Sequence, residues 1–146
     1  MTITIADLTE EACEEARLLF QKEKRVRVIR CDLFELPEGC ADLVTATQFI
    51  HHFSDEELPR AVRAMLHASR MGIVINDIHR HWIAWMAVWI AAHSISPNRY
   101  IRHDGPLSVA KGFTSSDWEE LRGKFDDCEL FYWWRPLFRY VVTASK

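Results

Sequence analysis

A chain of 146 residues, 49% hydrophobic and 27% charged, has the composition of one globular domain. A net charge of −3 supplies no attraction to nucleic acid or an anionic membrane, and excludes neither enzyme nor ligand-binding roles. The basic run KEKRVRVIR (22–30) has acidic neighbours and reads as a solvated helix end rather than a binding patch. Four cysteines at 13, 31, 40 and 128 form no CxxC, which points to reduced thiols in the cytoplasm. MTITIADLTEE at the start has neither the basic region nor the apolar core of a signal peptide. The most apolar run, 82–92, is 11 residues, too short for a membrane span.

Taken in order, Thr2 to Ala6 alternates β-branched residues and ends at Asp7, as a short strand with an acid at its tip. Thr9 then caps a helix with Glu10 and Glu11 in its first turn and a stripe of Ala12, Ala16, Leu19 and Phe20. VRVIRC (26–31) is a second strand that also ends on an acid, Asp32. LFELPEGCAD follows as a loop punctuated by Pro37 and Gly39. A buried strand from Asp42 runs into Thr47, Gln48 and the sequence FIHHF. Ser54 and Glu57 make a capping box, so the next helix spans Ser54 to about Ser69 with a stripe of Leu58, Val62, Met65 and Leu66. MGIVI (71–75) is a further strand ending in Asn76 and Asp77.

The second half reads differently. His79 to Ile95 is rich in Trp and apolar nearly all round, which suggests a helix buried between surfaces. Residues 96–113, with Pro97, Gly105 and Pro106, read as a long functional loop. Ser116 and Glu119 suggest a second capping box, and Cys128 to Trp134 with Leu137 to Ala144 an antiparallel hairpin. Strands that alternate with helices and end on polar residues imply an α/β, Rossmann-like, three-layer fold with a mostly parallel sheet. In such sheets ligands bind where strands end, so residues 47–53 are expected at the rim of a site.

IADLTEEACEEAR (5–17), CDLFELP (31–37), ADLVTATQFIHHFSDEE (41–57), GIVINDIHR (72–80) and RHDGPLSVAKGFTSSDWEEL (102–121) together resemble a class I S-adenosylmethionine-dependent methyltransferase of the bacterial small-molecule kind. The resemblance implies that Asp7 takes the cofactor's ribose hydroxyls, and that Asp32 and Leu33 flank its adenine. It places Thr47 and Gln48 beside the reactive methyl group of S-adenosylmethionine, and His51 and His52 at the mouth of the acceptor pocket, where a histidine can act as base. Trp82, Trp85, Trp89 and Tyr100 would line an aromatic lid, with His103 and Asp104 orienting a small, aromatic or polyketide-like acceptor. Asp7 and Asp32 read equally well as turn and cap residues, the Trp-rich helix as core, and one of the paired histidines as a buried structural one. The histidines at 79, 81, 93 and 103 have no metal-ligand spacing, so no metal is expected.

One departure from the family pattern is large. The sequence has no Gly-x-Gly, whereas the family opens with a strand and a glycine-rich loop that lets backbone approach the cofactor's methionine moiety. The expectation is a single, N-terminally truncated domain over 1–146, with two inner sheet edges left by the omitted strand. Those edges would pair with each other, take a strand from another chain, or belong to a remnant that folds as an intertwined dimer. A homo-oligomer or strand-sharing partner is thus expected. The alternative to an enzyme is a non-catalytic relative that dimerises or binds a hydrophobic ligand or partner subunit.

Overall fold

The computed structural model describes residues 1–95 and 99–145. The chain folds as an α/β, Rossmann-like protein in two β-sheets. The first holds β1 (Ile3–Asp7) and β2 (Val26–Arg30), parallel and joined by α1 (Glu10–Leu19). Thr9 caps α1 as expected, its hydroxyl accepting from the Ala12 N–H at 3.4 Å. Ala12, Ala16 and Phe20 are half-buried, but Leu19 is 74% exposed, and Cys13 is the buried residue of this helix.

The second sheet has the order β3-β4-β6-β5, built from β3 (Ala41–Thr47), β4 (Ser69–Ile78), β5 (Glu129–Arg135) and β6 (Arg139–Ser145). β3 and β4 run parallel, while β6 is antiparallel to both β4 and β5, the latter pair being the expected hairpin. Half of the strand pairings are therefore antiparallel. β1 and β3 lie in different sheets, so direct pairing of the two inner edges does not occur.

Between β3 and β4 lies α2 (Leu58–Ala68), one turn later than the capping box. The box itself forms: Glu57 Oε2 accepts from the Ser54 N–H (3.1 Å) and hydroxyl (2.8 Å). Leu58, Val62, Met65 and Leu66 are all buried and pack with Ile73, Ile75, Trp118, Leu121 and Val142 in the main core. That core needs a glycine at 72, because a Cβ there would run into the Ala144 carbonyl oxygen across the β4–β6 pair.

Three features of the second half differ from expectation. The Trp-rich segment is a helix, α3 (Trp82–Ile95), yet it is not buried between surfaces: Trp82 is 67% exposed, and Ile83, Trp85, Met86, Trp89 and Ile90 are exposed too. α4 packs along it and Ala84 meets Ile78 of β4, yet a helix apolar all round still keeps much of its apolar surface outside. The expected loop is instead largely that helix, α4 (Arg99–Ala110), with Pro106 inside it. Proline removes an N–H from a helix, but here packing outweighs it. Val109 joins Ile78 and Ala84 in a second buried cluster, and Gly105 lets α4 approach so near that a Cβ would stand 3.1 Å from Val88 Cγ1. Lastly, the box on α5 (Ser115–Arg122) is Thr114 with Asp117, two residues before the Ser116–Glu119 pair that also fits the pattern.

Candidate functional site

The strand-end loops carry most of the residues singled out by sequence. Asp7 closes β1, and its Oδ1 accepts from both the N–H (2.8 Å) and the hydroxyl (2.9 Å) of Thr9. Asp32 follows β2 and caps a single 3-10 turn, Leu33–Glu35, with Oδ1 accepting from the Phe34 N–H at 2.9 Å. Both acids thus do the local turn and cap work that was one of their readings. Each does so with Oδ1 alone, and both are only half-buried, so Oδ2 is available to a ligand's hydroxyl or amine. Leu33 is half-buried against the main core.

The loops after β2 and β3 meet. Phe34 packs edge-on against Phe53 with centroids 6.0 Å apart, and Phe53 packs the same way on Phe49 at 5.3 Å. Arg60 of α2 lies 4.3 Å above the Phe34 ring, a cation–π contact that ties this aromatic group to the helix. A shallow hollow of about 300 Å³ opens beside it, lined by Leu33, Phe34, Leu36, Arg60, Arg63, Ala64 and His67.

Beyond β3, Thr47 is exposed and Gln48 takes a left-handed conformation (φ 51°) that non-glycine residues rarely adopt. Three bonds hold it there. Its N–H donates to the Asn76 carbonyl at 2.9 Å, and its amide oxygen, turned toward Arg139, accepts from Nη1 (3.0 Å) and Nη2 (2.6 Å). The next residues form a 3-10 turn, Ile50–His52, that separates the paired histidines. His51 is 4% exposed, and its Nδ1 lies 2.7 Å from Oδ1 of the fully buried Asp77. His52 is exposed, with its ring tilted against that of His51 at 4.2 Å. Partial burial, and then the neighbouring His51, lower the His52 pKa from its ordinary value, so His52 is neutral and able to accept a proton near pH 7.

The residues expected around an acceptor gather on the α3–α4 pair. Trp82, Trp85 and Trp89 stand exposed on α3, and His93 stacks on Trp89 at 4.4 Å. His103 and Asp104 pair at 3.1 Å on the exposed surface of α4. The side chain of Tyr100 falls outside the described residues. Among the described residues no group of three His, Cys, Asp or Glu side chains could hold a metal ion, and no helix is long and apolar enough to cross a membrane.

Sequence reasoning passed over Asp77 and Arg139. The signal for Asp77 was present, since a buried strand ending Asn-Asp puts an acid at a site-bearing strand end; nothing local marked Arg139.

Residues 1–72 match the family model described as a methyltransferase domain. The fold is that of class I S-adenosylmethionine-dependent methyltransferases. A magnesium protoporphyrin IX methyltransferase from Synechocystis, with S-adenosylhomocysteine bound, aligns with TM-score 0.64 at 12% identity, over 99% of this chain and 64% of that one. An S-adenosylmethionine-dependent methyltransferase from Aquifex aeolicus aligns with TM-score 0.67 at 14% identity, over 98% and 68%. The methyltransferase domain of the citrinin polyketide synthase gives TM-score 0.67 at 11% identity, over 99% and 38%. No curated protein matches in sequence. Residues 1–72 are thus similar to a methyltransferase domain and the chain shares its fold with these three solved structures, of whose length it spans about two-thirds or less.

Proposed function

We propose that this chain acts in S-adenosylmethionine-dependent methyl transfer to a small, aromatic or polyketide-like acceptor. The observation that carries the reading is the placement of Asp7 and Asp32 at the ends of two paired parallel strands, each with a carboxylate oxygen to spare. A carboxylate accepts from both hydroxyls of a ribose, or from the exocyclic amine of an adenine, and half-buried Leu33 offers an apolar surface to the ring. The adenosine half of the cofactor therefore fits the residues present. Its methionine half lacks a glycine cradle among the described residues, where Gly39 and Gly72 serve a turn and a strand contact. The group itself would supply an activated methyl on a sulfonium.

The chain's own residues would do the positioning, which is where most of the rate in such a transfer originates. His52, neutral near pH 7, is suited to take a proton from an acceptor hydroxyl. The Trp82, Trp85 and Trp89 face would supply the apolar contact area that a flat acceptor requires. Two similar folds bear names with such acceptors, a polyketide synthase domain and a porphyrin methyltransferase, and this supports the acceptor class by analogy of fold.

A second reading has its own support. The exposed apolar face of α3, together with the β1 and β3 edges that pair with no strand among the described residues, suits a non-catalytic protein that dimerises, takes a strand from a partner or binds a hydrophobic ligand. Isothermal titration with S-adenosylhomocysteine separates the two. Micromolar binding that Asp7→Ala weakens by ~1–3 kcal/mol is expected for the first. No heat at millimolar ligand moves the case to the second.

A further inference from the structure

The carboxylate of Asp77 gathers more donors than any turn requires. Its Oδ2 accepts from the backbone N–H of Phe49 (3.1 Å), Ile50 (3.0 Å) and His51 (3.4 Å). Its Oδ1 accepts from the N–H of Ile78 at 2.7 Å and faces His51 Nδ1 at 2.7 Å. Ile50, His51 and Ile78 are buried, Phe49 is 39% exposed, and Asp77 itself has no exposed surface. An ionised carboxylate offers only lone pairs, so the proton between it and the imidazole sits on Nδ1. The tautomer that carries this one proton has its lone pair on Nε2. That atom is buried and has no hydrogen-bond partner among the described residues. A buried acceptor without a donor is costly, and such atoms concentrate where a ligand is expected to complete the set.

We infer that Asp77 and His51 are a positioning pair built into the strand-end loop. Asp77 clamps the backbone at 49–51 and holds His51 as its Nδ1–H tautomer, so that Nε2 accepts a hydrogen bond from a hydroxyl or amine of the bound acceptor. A carboxylate that fixes an imidazole tautomer does the same service for the base of serine hydrolases. Describing the ligand as a methyl acceptor rests on the function proposed above; the tautomer does not.

Nitrogen-15 spectra of the histidine rings in the full chain read both parts. At neutral pH, His51 is expected to show a protonated Nδ1 and a bare Nε2, and millimolar phenol, a minimal aromatic hydroxyl donor, is expected to shift the Nε2 resonance. Asp77→Asn leaves one amide oxygen for two sets of donors. If the oxygen stays with the N–H groups of 49–51, the amide NH₂ faces Nδ1, the tautomer inverts to Nε2–H and the phenol response vanishes. A wild-type Nε2–H tautomer overturns the pair whether or not any variant folds. A folded Asp77→Ala chain, which offers Nδ1 no side-chain acceptor at position 77, that keeps the Nδ1–H tautomer removes Asp77 as its cause. A bare Nε2 indifferent to phenol overturns the ligand role. Failure of S-adenosylhomocysteine to bind would leave these spectra unchanged, so the two proposals fail separately.

Discussion

The two ends of the molecule are built from the same kinds of element and bury very different amounts. The four-stranded sheet with α2 and α5 encloses Trp118, Ile50, Met65, Ile73, Ile75 and Leu121 almost completely. The β1-α1-β2 unit, with the same βαβ logic, fully buries only Cys13 and leaves Ile3, Leu8, Leu18 and Leu19 exposed. Parallel strands are ordinarily covered on both faces and flanked in the sheet, and a pair of strands alone is marginal. The lesson is that a correct local pattern does not make a core; a second covered face does. The connector that follows β2 is held to the larger unit by the Phe34–Phe53 contact, the Arg60–Phe34 contact and the Gly39 N–H bond to the His67 carbonyl.

This contrast can be broken by mutation. Trp118→Ala is expected to lower the unfolding free energy by about 3–5 kcal/mol, while Leu19→Ala in the smaller unit changes it by no more than about 0.5 kcal/mol. Urea denaturation followed by fluorescence measures both. Comparable losses would mean that α1 buries its stripe in a way its exposure does not reveal.

Hydrogen exchange sharpens the comparison further. The amides that join β1 to β2 should exchange earlier than those joining β4 to β6, because local opening of the smaller unit uncovers little apolar surface. Simultaneous exchange of the two sets would show one cooperative unit. S-adenosylhomocysteine, if bound through Asp7 and Asp32, should slow the first set selectively.

The smallest effect is a pH dependence. His52 and His79 both have lowered pKa values, each chiefly from burial and then from a neighbouring histidine, His51 or His81. Below the ordinary histidine value of about 6.5 the unfolded chain takes up these protons and the folded chain does not, so folding stability falls as pH drops and is fully present above that value. Thermal unfolding between neutral and mildly acidic pH should show the loss, and His79→Gln should reduce it. A midpoint that rises on acidification would contradict the burial of both rings.

The sequence by itself determined the order of the strands and of every α-helix but α4, the Thr9 and Ser54–Glu57 caps, and the apolar stripe of α2, because each depends on residues within a few positions of one another. It also placed acids at three strand ends. Only the tertiary structure decided what those acids do and which local option wins. Thr114–Asp117 prevails over Ser116–Glu119 where Asp117 also meets Arg80 at 2.9 Å from another element. Residues 99–110 are helical in spite of Gly105 and Pro106 because α3 offers a surface on which that glycine lets α4 settle. Asp77 becomes the organiser of the 49–51 loop because β3 and β4 are neighbours, bringing residues 26 to 28 positions apart within hydrogen-bond reach. A bond between distant residues is energetically real only after chain closure has been achieved, and no local window of sequence contains that term.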